Sequence, residues 1–123
     1  TPACLNPNWP EVHEPSAAPR AGGGPALFPY TGSRGKRGGS AARAELVASV
    51  MASFRRAGVP VQTGTLGRVD EGGGGTIARD LAHRGMDVVD VGVCVISMHS
   101  PFELVAKADL WAAYRGFRAW LTE

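Results

Sequence analysis

Three stretches with helical spacing alternate with three short apolar runs, and glycine stands at most of the junctions. Residues 24–31, 59–66 and 86–91 read as strands, while residues 40–57, residues 76–84 and a segment opening at Ser100 read as helices. In the first helix Leu46, Val47, Val50, Met51 and Phe54 fall on one face, and Gly58 supplies the stop. In the second, Ile77, Ala78 and Leu81 share a face and Gly85 ends it. Ser100-Pro101-Phe102-Glu103 has the form of a capping box, and Leu104, Ala108, Trp111, Tyr114, Phe117 and Leu121 continue as an apolar stripe. The order β-α-β-α-β-α predicts an α/β fold with a mainly parallel sheet and flanking helices. The run 86–91, apolar apart from Asp87 and Asp90, suits a buried parallel strand. Residues 1–23 hold five prolines and no periodicity, and are expected to form an irregular arm.

A chain of 123 residues suffices for one domain, here residues 1–123. No apolar run is long enough to span a bilayer, so no membrane partner is expected. The N-terminus lacks the basic and apolar regions of a secretory signal and begins Thr1-Pro2-Ala3-Cys4, which fits a processed chain or a fragment. A net charge of +2 does not argue for nucleic acid. Cys4 and Cys94 form no Cys-x-x-Cys motif and are expected to be free, buried thiols in a reducing compartment.

Three segments could carry chemistry. His99 follows a strand, where ligands gather in open α/β sheets; the alternative is a core or capping histidine. Gly72 to Gly75 precede a helix start, and such glycines let a ligand approach the main chain closely. A dinucleotide fingerprint there fails because Ile77 stands where its third glycine belongs. Residues 30–40 form a basic glycine-rich loop in which Tyr30 and Arg37 break the phosphate-loop pattern. Arg34, Lys36 and Arg37 leave a nucleic-acid-binding module as a rival reading, but no aromatics interleave with them. A nucleotide-binding α/β domain is the other rival. His13, His83 and His99 are scattered and make no metal motif by spacing; His83 reads as a helix-end surface residue.

Four segments together resemble the end of the catalytic domain in the aspartyl aminopeptidase and aminopeptidase I family of two-zinc exopeptidases. They are Asn6-Pro7-Asn8-Trp9 with Val12-His13-Glu14; Gly24-Pro25 with residues 30–36; Thr63-Gly64 through residues 72–78; and Asp90-Val91-Gly92 through Ser97-Met98-His99-Ser100-Pro101-Phe102-Glu103. The resemblance runs from about Leu5 into the last helix and is closer to the bacterial branch. It implies a partial three-layer zinc-exopeptidase fold and the removal of N-terminal residues from peptides. It further implies two divalent metal ions, usually zinc, with a glutamate as general base, in a cytoplasmic homo-oligomer. Position by position, His99 corresponds to the final metal ligand. Met98, Gly73, Gly74 and Gly75 correspond to pocket-lining positions, Lys36 to a substrate-facing one, and His13 to a structural histidine. Pro29 departs from a position that is often basic in the family, which bears on substrate preference. The remaining ligands and the general base would precede Thr1. The resemblance therefore places no catalytic residue in this chain, and the chain alone is expected not to hydrolyse peptides.

Overall fold

The computed structural model describes residues 2–33, 38–65, 67–68 and 73–123. The chain is α/β, but its sheet is mixed. Strand β1 (Ala26–Phe28) lies at the centre of a three-stranded sheet, between β3 (Gln62–Thr63) and β5 (Asp90–Gly92). It runs parallel to β3, with Leu27 opposite Thr63, and antiparallel to β5, with Leu27 opposite Val91. The run 86–91 is not the buried parallel strand expected: Met86 and Asp87 are exposed, Asp90–Gly92 are half-buried, and apolar character by itself carries no strand direction. A second, two-stranded sheet pairs β2 (Gly32–Ser33) with β4 (Gly73–Gly74). The strands are shorter than the sequence suggests, since ladder pairing ends well inside each apolar run.

All three residues of β1 are buried, and alternation sends them into two cores. Leu27 joins Val50, Phe54 and Val59 under helix α1 (Ala44–Arg56). Ala26 and Phe28 join Cys4 and Cys94 on the other face. There the proline-rich arm replaces a helix. It has little regular structure, as expected, yet it is tied down: Cys4 N–H donates to Val95 O at 2.9 Å, Val95 N–H to Pro2 O at 2.9 Å and Leu5 N–H to Pro19 O at 2.8 Å.

Helix α1 starts four residues later than its apolar spacing suggests. Thr31 N–H donates to Ser40 O and Ala42 N–H to Pro29 O, holding residues 40–43 extended beside the first strand. Its end is as expected. Gly58 takes φ +65°, Gly58 N–H donates to Arg55 O, and Val59 N–H donates to Phe54 O, a Schellman closure. Helix α2 (Ala78–Ala82) is short, with Ala78 buried, but Ile77 lies in solvent rather than on its inner face.

The last helix differs most. Helix α3 spans Lys107–Leu121, so the capping-box residues Ser100 to Glu103 lie outside it. Ile96 and Leu104 instead exchange backbone hydrogen bonds of 2.9 and 3.1 Å, a bridge that holds the chain extended where a helix would start. The buried face of α3 is its small one: Asp109, Ala113 and Gly116. A Cβ added at Gly116 would sit 2.5 Å from the Phe54 ring, so only glycine allows α3 to approach α1 this closely. Leu110, Trp111, Tyr114 and Leu121 face solvent, while Phe117 is only partly exposed and sets its ring against Phe54. Among the described residues no helix is long and apolar enough to cross a membrane.

Candidate functional site

Residues 97–99 leave the sheet two residues after Val95 pairs with the N-terminal arm, and the chain there reverses sharply. Ser97 and His99 adopt φ +58° and +67°, the left-handed region that side chains with a Cβ rarely occupy. Such strain persists only where the surroundings hold it. Here the Ile96–Leu104 bridge closes the loop, Ser100 N–H donates to Ser97 O at 3.1 Å, and His99 N–H donates to the Glu103 carboxylate at 2.6 Å. Ser100 Oγ accepts from Phe102 N–H and donates to Phe102 O. The residues that resemble a helix cap are thus used to brace a loop. The result is an exposed His99 on a fixed turn, not a core histidine.

Beside this turn lies a cleft of about 400 Å³, lined among others by Asn6, Trp9, His13, Ser97 and Met98. His13 is buried, and its Nε2 accepts the Asn6 N–H at 3.3 Å. The Asn6 side chain donates to Ser97 Oγ at 3.3 Å, and its Oδ1 accepts from Asn8 N–H at 3.0 Å. Asn6 therefore links the buried histidine to the strained turn. Sequence reading gave Asn6 and Ser97 no role of their own, because their contact joins opposite ends of the chain and has no local spacing.

Burial holds the His13 imidazole below its ordinary value of 6.5, against a smaller opposing effect of the Glu11 charge. Only the neutral ring can accept at Nε2. A folded-state value below the unfolded one means that the unfolded chain binds the extra proton. Stability from His13 is complete above pH 6.5 and falls as pH drops below it towards the depressed value. Urea midpoints measured across this window should fall with acid in the native sequence, and the His13→Gln variant should lose that part of the slope.

The glycine segment is placed separately. Gly73 and Gly74 pair with Ser33 and Gly32, and a Cβ at Gly75 would come 3.0 Å from Gly38 O. Among the described residues, a Cβ at Gly74 would meet nothing within 4 Å. The glycine-rich loops therefore pack on one another, and Gly74 keeps an open side. Thr76 Oγ1 donates to Asp90 at 2.8 Å and fastens this segment to the start of β5. Met98 and Ser100, the neighbours of His99 in sequence, line the cleft, whereas Gly73 and Gly74 belong to the other sheet and Gly75 follows it. Lys36, Arg34 and Arg37 lie outside the described residues.

The described residues do not by themselves fit a zinc centre. No group of three or more His, Cys, Asp or Glu side chains comes together among them. The carboxylate nearest in the turn, Glu103, is engaged by the His99 amide. His99 can supply one nitrogen to a metal, where a catalytic zinc takes about three protein ligands.

A left-handed exposed histidine invites a direct test of whether its imidazole serves the fold. Replacing His99 by glycine relieves the backbone and should leave stability unchanged or raise it by up to about 1 kcal/mol. A loss greater than about 1 kcal/mol in urea denaturation would make the ring a structural element instead.

Comparison with known proteins is consistent across the chain. A family model described as aminopeptidase I zinc metalloprotease (M18) matches residues 1–121. A probable M18 family aminopeptidase 1 of Thermotoga neapolitana is 49% identical over 98% of this chain and 27% of its own length. The crystal structure of an M18 aminopeptidase from Thermotoga maritima superposes with a TM-score of 0.92 at 47% identity, covering 98% of this chain and 27% of that one. The S. cerevisiae mApe1 dodecamer, 24% identical over 98% of this chain and 25% of that one, has a TM-score of 0.75 and shares the fold. The chain spans about a quarter of the length of the relatives it matches.

Proposed function

Because this chain belongs to the aminopeptidase I zinc metalloprotease (M18) family, we propose that it forms the closing part of a metalloaminopeptidase catalytic domain and presents His99 as one metal ligand. The whole enzyme would remove N-terminal residues from peptides at a site holding two divalent ions, usually zinc. The observation that carries this reading is the exposed His99 imidazole, held on a braced left-handed turn just past the sheet. Met98 and the Gly73 to Gly75 backbone would line the peptide pocket, joined by Lys36. When bound, zinc would polarise the scissile carbonyl and lower the pKa of its water. This chain's own contribution is to hold the His99 backbone in place, so that its imidazole starts from a fixed point. The bracing by Glu103 and the Asn6–Ser97 contact supports that role.

Most of the metal ligands and the general-base glutamate would come from sequence preceding this chain. The chain alone is then inactive, and zinc binds it only weakly through His99. Incubation with Zn²⁺ or Co²⁺ and aminoacyl p-nitroanilides should give no hydrolysis, and an active isolated chain would contradict this reading. A cytoplasmic setting is supported by the two free thiols.

The exposed apolar face of α3 supports assembly with the rest of the domain and with further subunits. Trp111 and Tyr114 stack at 5.3 Å on this face, and Leu110 and Leu121 extend it. A contiguous apolar surface of this kind is uncommon on a monomer. The isolated chain should therefore self-associate in size-exclusion chromatography, and Trp111→Glu with Leu121→Glu should shift it to the monomer position.

A further inference from the structure

Beyond the Ala3–Val95 bridge, the N-terminal arm meets the segment leading to His99 a second time, through Asn6. Asn6 is buried, and each of its polar groups is bonded. Its N–H donates to His13 Nε2 at 3.3 Å, and its carbonyl accepts Trp9 N–H at 3.2 Å. Its Oδ1 accepts Asn8 N–H at 3.0 Å, and its Nδ2 donates to Ser97 Oγ at 3.3 Å. A buried residue bonded at both ends cannot shift without disturbing its partners, so a movement of the Asn6 backbone is passed to Ser97. Ser97 stands at φ +58° and His99 at φ +67°, conformations that persist only while their surroundings hold them. His13, itself buried, is the far end of this chain of contacts.

We propose that His13 and Asn6 are positioning residues for the His99 turn: the neutral imidazole holds the Asn6 amide, Asn6 holds Ser97, and a proton on His13 releases the turn. In the neutral ring that accepts at Nε2, the proton is on Nδ1. The imidazolium carries N–H at both nitrogens, so Nε2 then meets the Asn6 N–H as donor against donor, and the bond is lost. Protons reach the ring through the cleft that His13, Asn6, Ser97 and Met98 share. Few charged groups face it. Glu11, on the single turn Pro10–Val12 before it, favours the proton, and burial opposes it more strongly. Glu14, next in sequence, accepts from Ser16 Oγ, and Arg68, whose N–H donates to Val12 O, is exposed. The described residues lining the cleft include no charged side chain, and their other titratable group is the Cys4 thiol. The turn is therefore held above the His13 midpoint, which lies below 6.5, and released beneath it. The consequence for a metal rests on the role proposed for His99, whereas the coupling rests only on contacts within this chain.

The test follows the dilute, isotope-labelled 123-residue chain by NMR as pH is lowered from about 8 to about 4. The Ser97 and Ser100 amide signals should shift with the midpoint of the His13 ring. Exchange protection of the Ser100 amide, which is bonded to Ser97 O, should fall at least about tenfold across it. His99→Gln should leave this titration in place, because the proton that matters is on His13. Ser97→Ala should cut the last contact, so that the His13 ring still titrates and the turn no longer follows. Asn6→Leu should do the same, which keeps the test decisive if one variant fails to fold. A turn that ignores the His13 midpoint in the native sequence, one whose titration vanishes with His99→Gln, or one that still follows His13 in Ser97→Ala would each overturn the proposal. Zinc enters none of these readings, so the metal reading and the coupling can fail separately.

Discussion

The Phe54→Ala variant should lose its cooperative unfolding transition. Phe54 is fully buried and sits where both helices meet the sheet, in one cluster with Leu27, Val50 and Val59. Its ring meets Phe117 edge-on at 5.8 Å and 88°, and it fills the space that Gly116 leaves open. Truncating a buried phenylalanine costs about 3–5 kcal/mol in transfer and cavity terms. A domain of this size has only about 5–15 kcal/mol in all. Here an open apolar cavity of about 430 Å³, lined by Phe54, Leu46, Val50 and Trp120 among others, already interrupts the packing. The remaining margin is therefore small. Far-UV circular dichroism in urea should show a broad, early loss of helix, and a midpoint close to that of the native sequence would refute this account of the core.

Asp109→Ala should cost nearly as much, for a different reason. Asp109 is buried on α3, and its two carboxylate oxygens accept the Gly22 and Gly24 amides, each at 2.8 Å. Those glycines sit at φ +85° and +88°, and the carboxylate holds their amides while the Gln62 side chain holds the Arg20 and Gly24 carbonyls of the same turn. Alanine would leave two donors without partners at about 1–3 kcal/mol each, roughly 3–4 kcal/mol together. Asp109→Asn keeps one acceptor but turns an NH₂ towards an amide, and should recover less than half of the loss. Faster hydrogen exchange at Gly22 and Gly24 in both variants would locate the effect in the arm, and unchanged exchange there would rule the anchor out.

These two residues show where sequence reading succeeds and where it stops. Phe54 is legible, because its helix has regular apolar spacing and a glycine stop, both local signals. Asp109 is not, because a lone acidic residue on a helix looks solvated until its distant partners are known. The same limit explains α3. Ser100 to Glu103 has every local mark of a helix start, yet the Ile96–Leu104 bridge outweighs it. The aromatic stripe also looks like the packing face, while the inner face is chosen by how closely Gly116 lets the helix approach. The direction of β5 was illegible because its antiparallel pairing with β1 joins residues about 60 positions apart and leaves no local pattern. In the site, His99 stands out by its place after a strand, whereas Asn6, which braces the turn before it, has a contact 91 residues away.

The central claim is that His99 belongs to a metal site completed by sequence outside this chain. It is tested most directly by joining this chain to the remaining three-quarters of the Thermotoga maritima M18 aminopeptidase, of which it covers 27% with a TM-score of 0.92. Metal content and aminoacyl p-nitroanilide turnover are then measured with and without His99→Ala. The folded hybrid should bind zinc and turn over substrate, and His99→Ala should lower zinc content and reduce turnover at least about 100-fold. A His99→Ala hybrid that keeps both its zinc and its turnover would contradict the account.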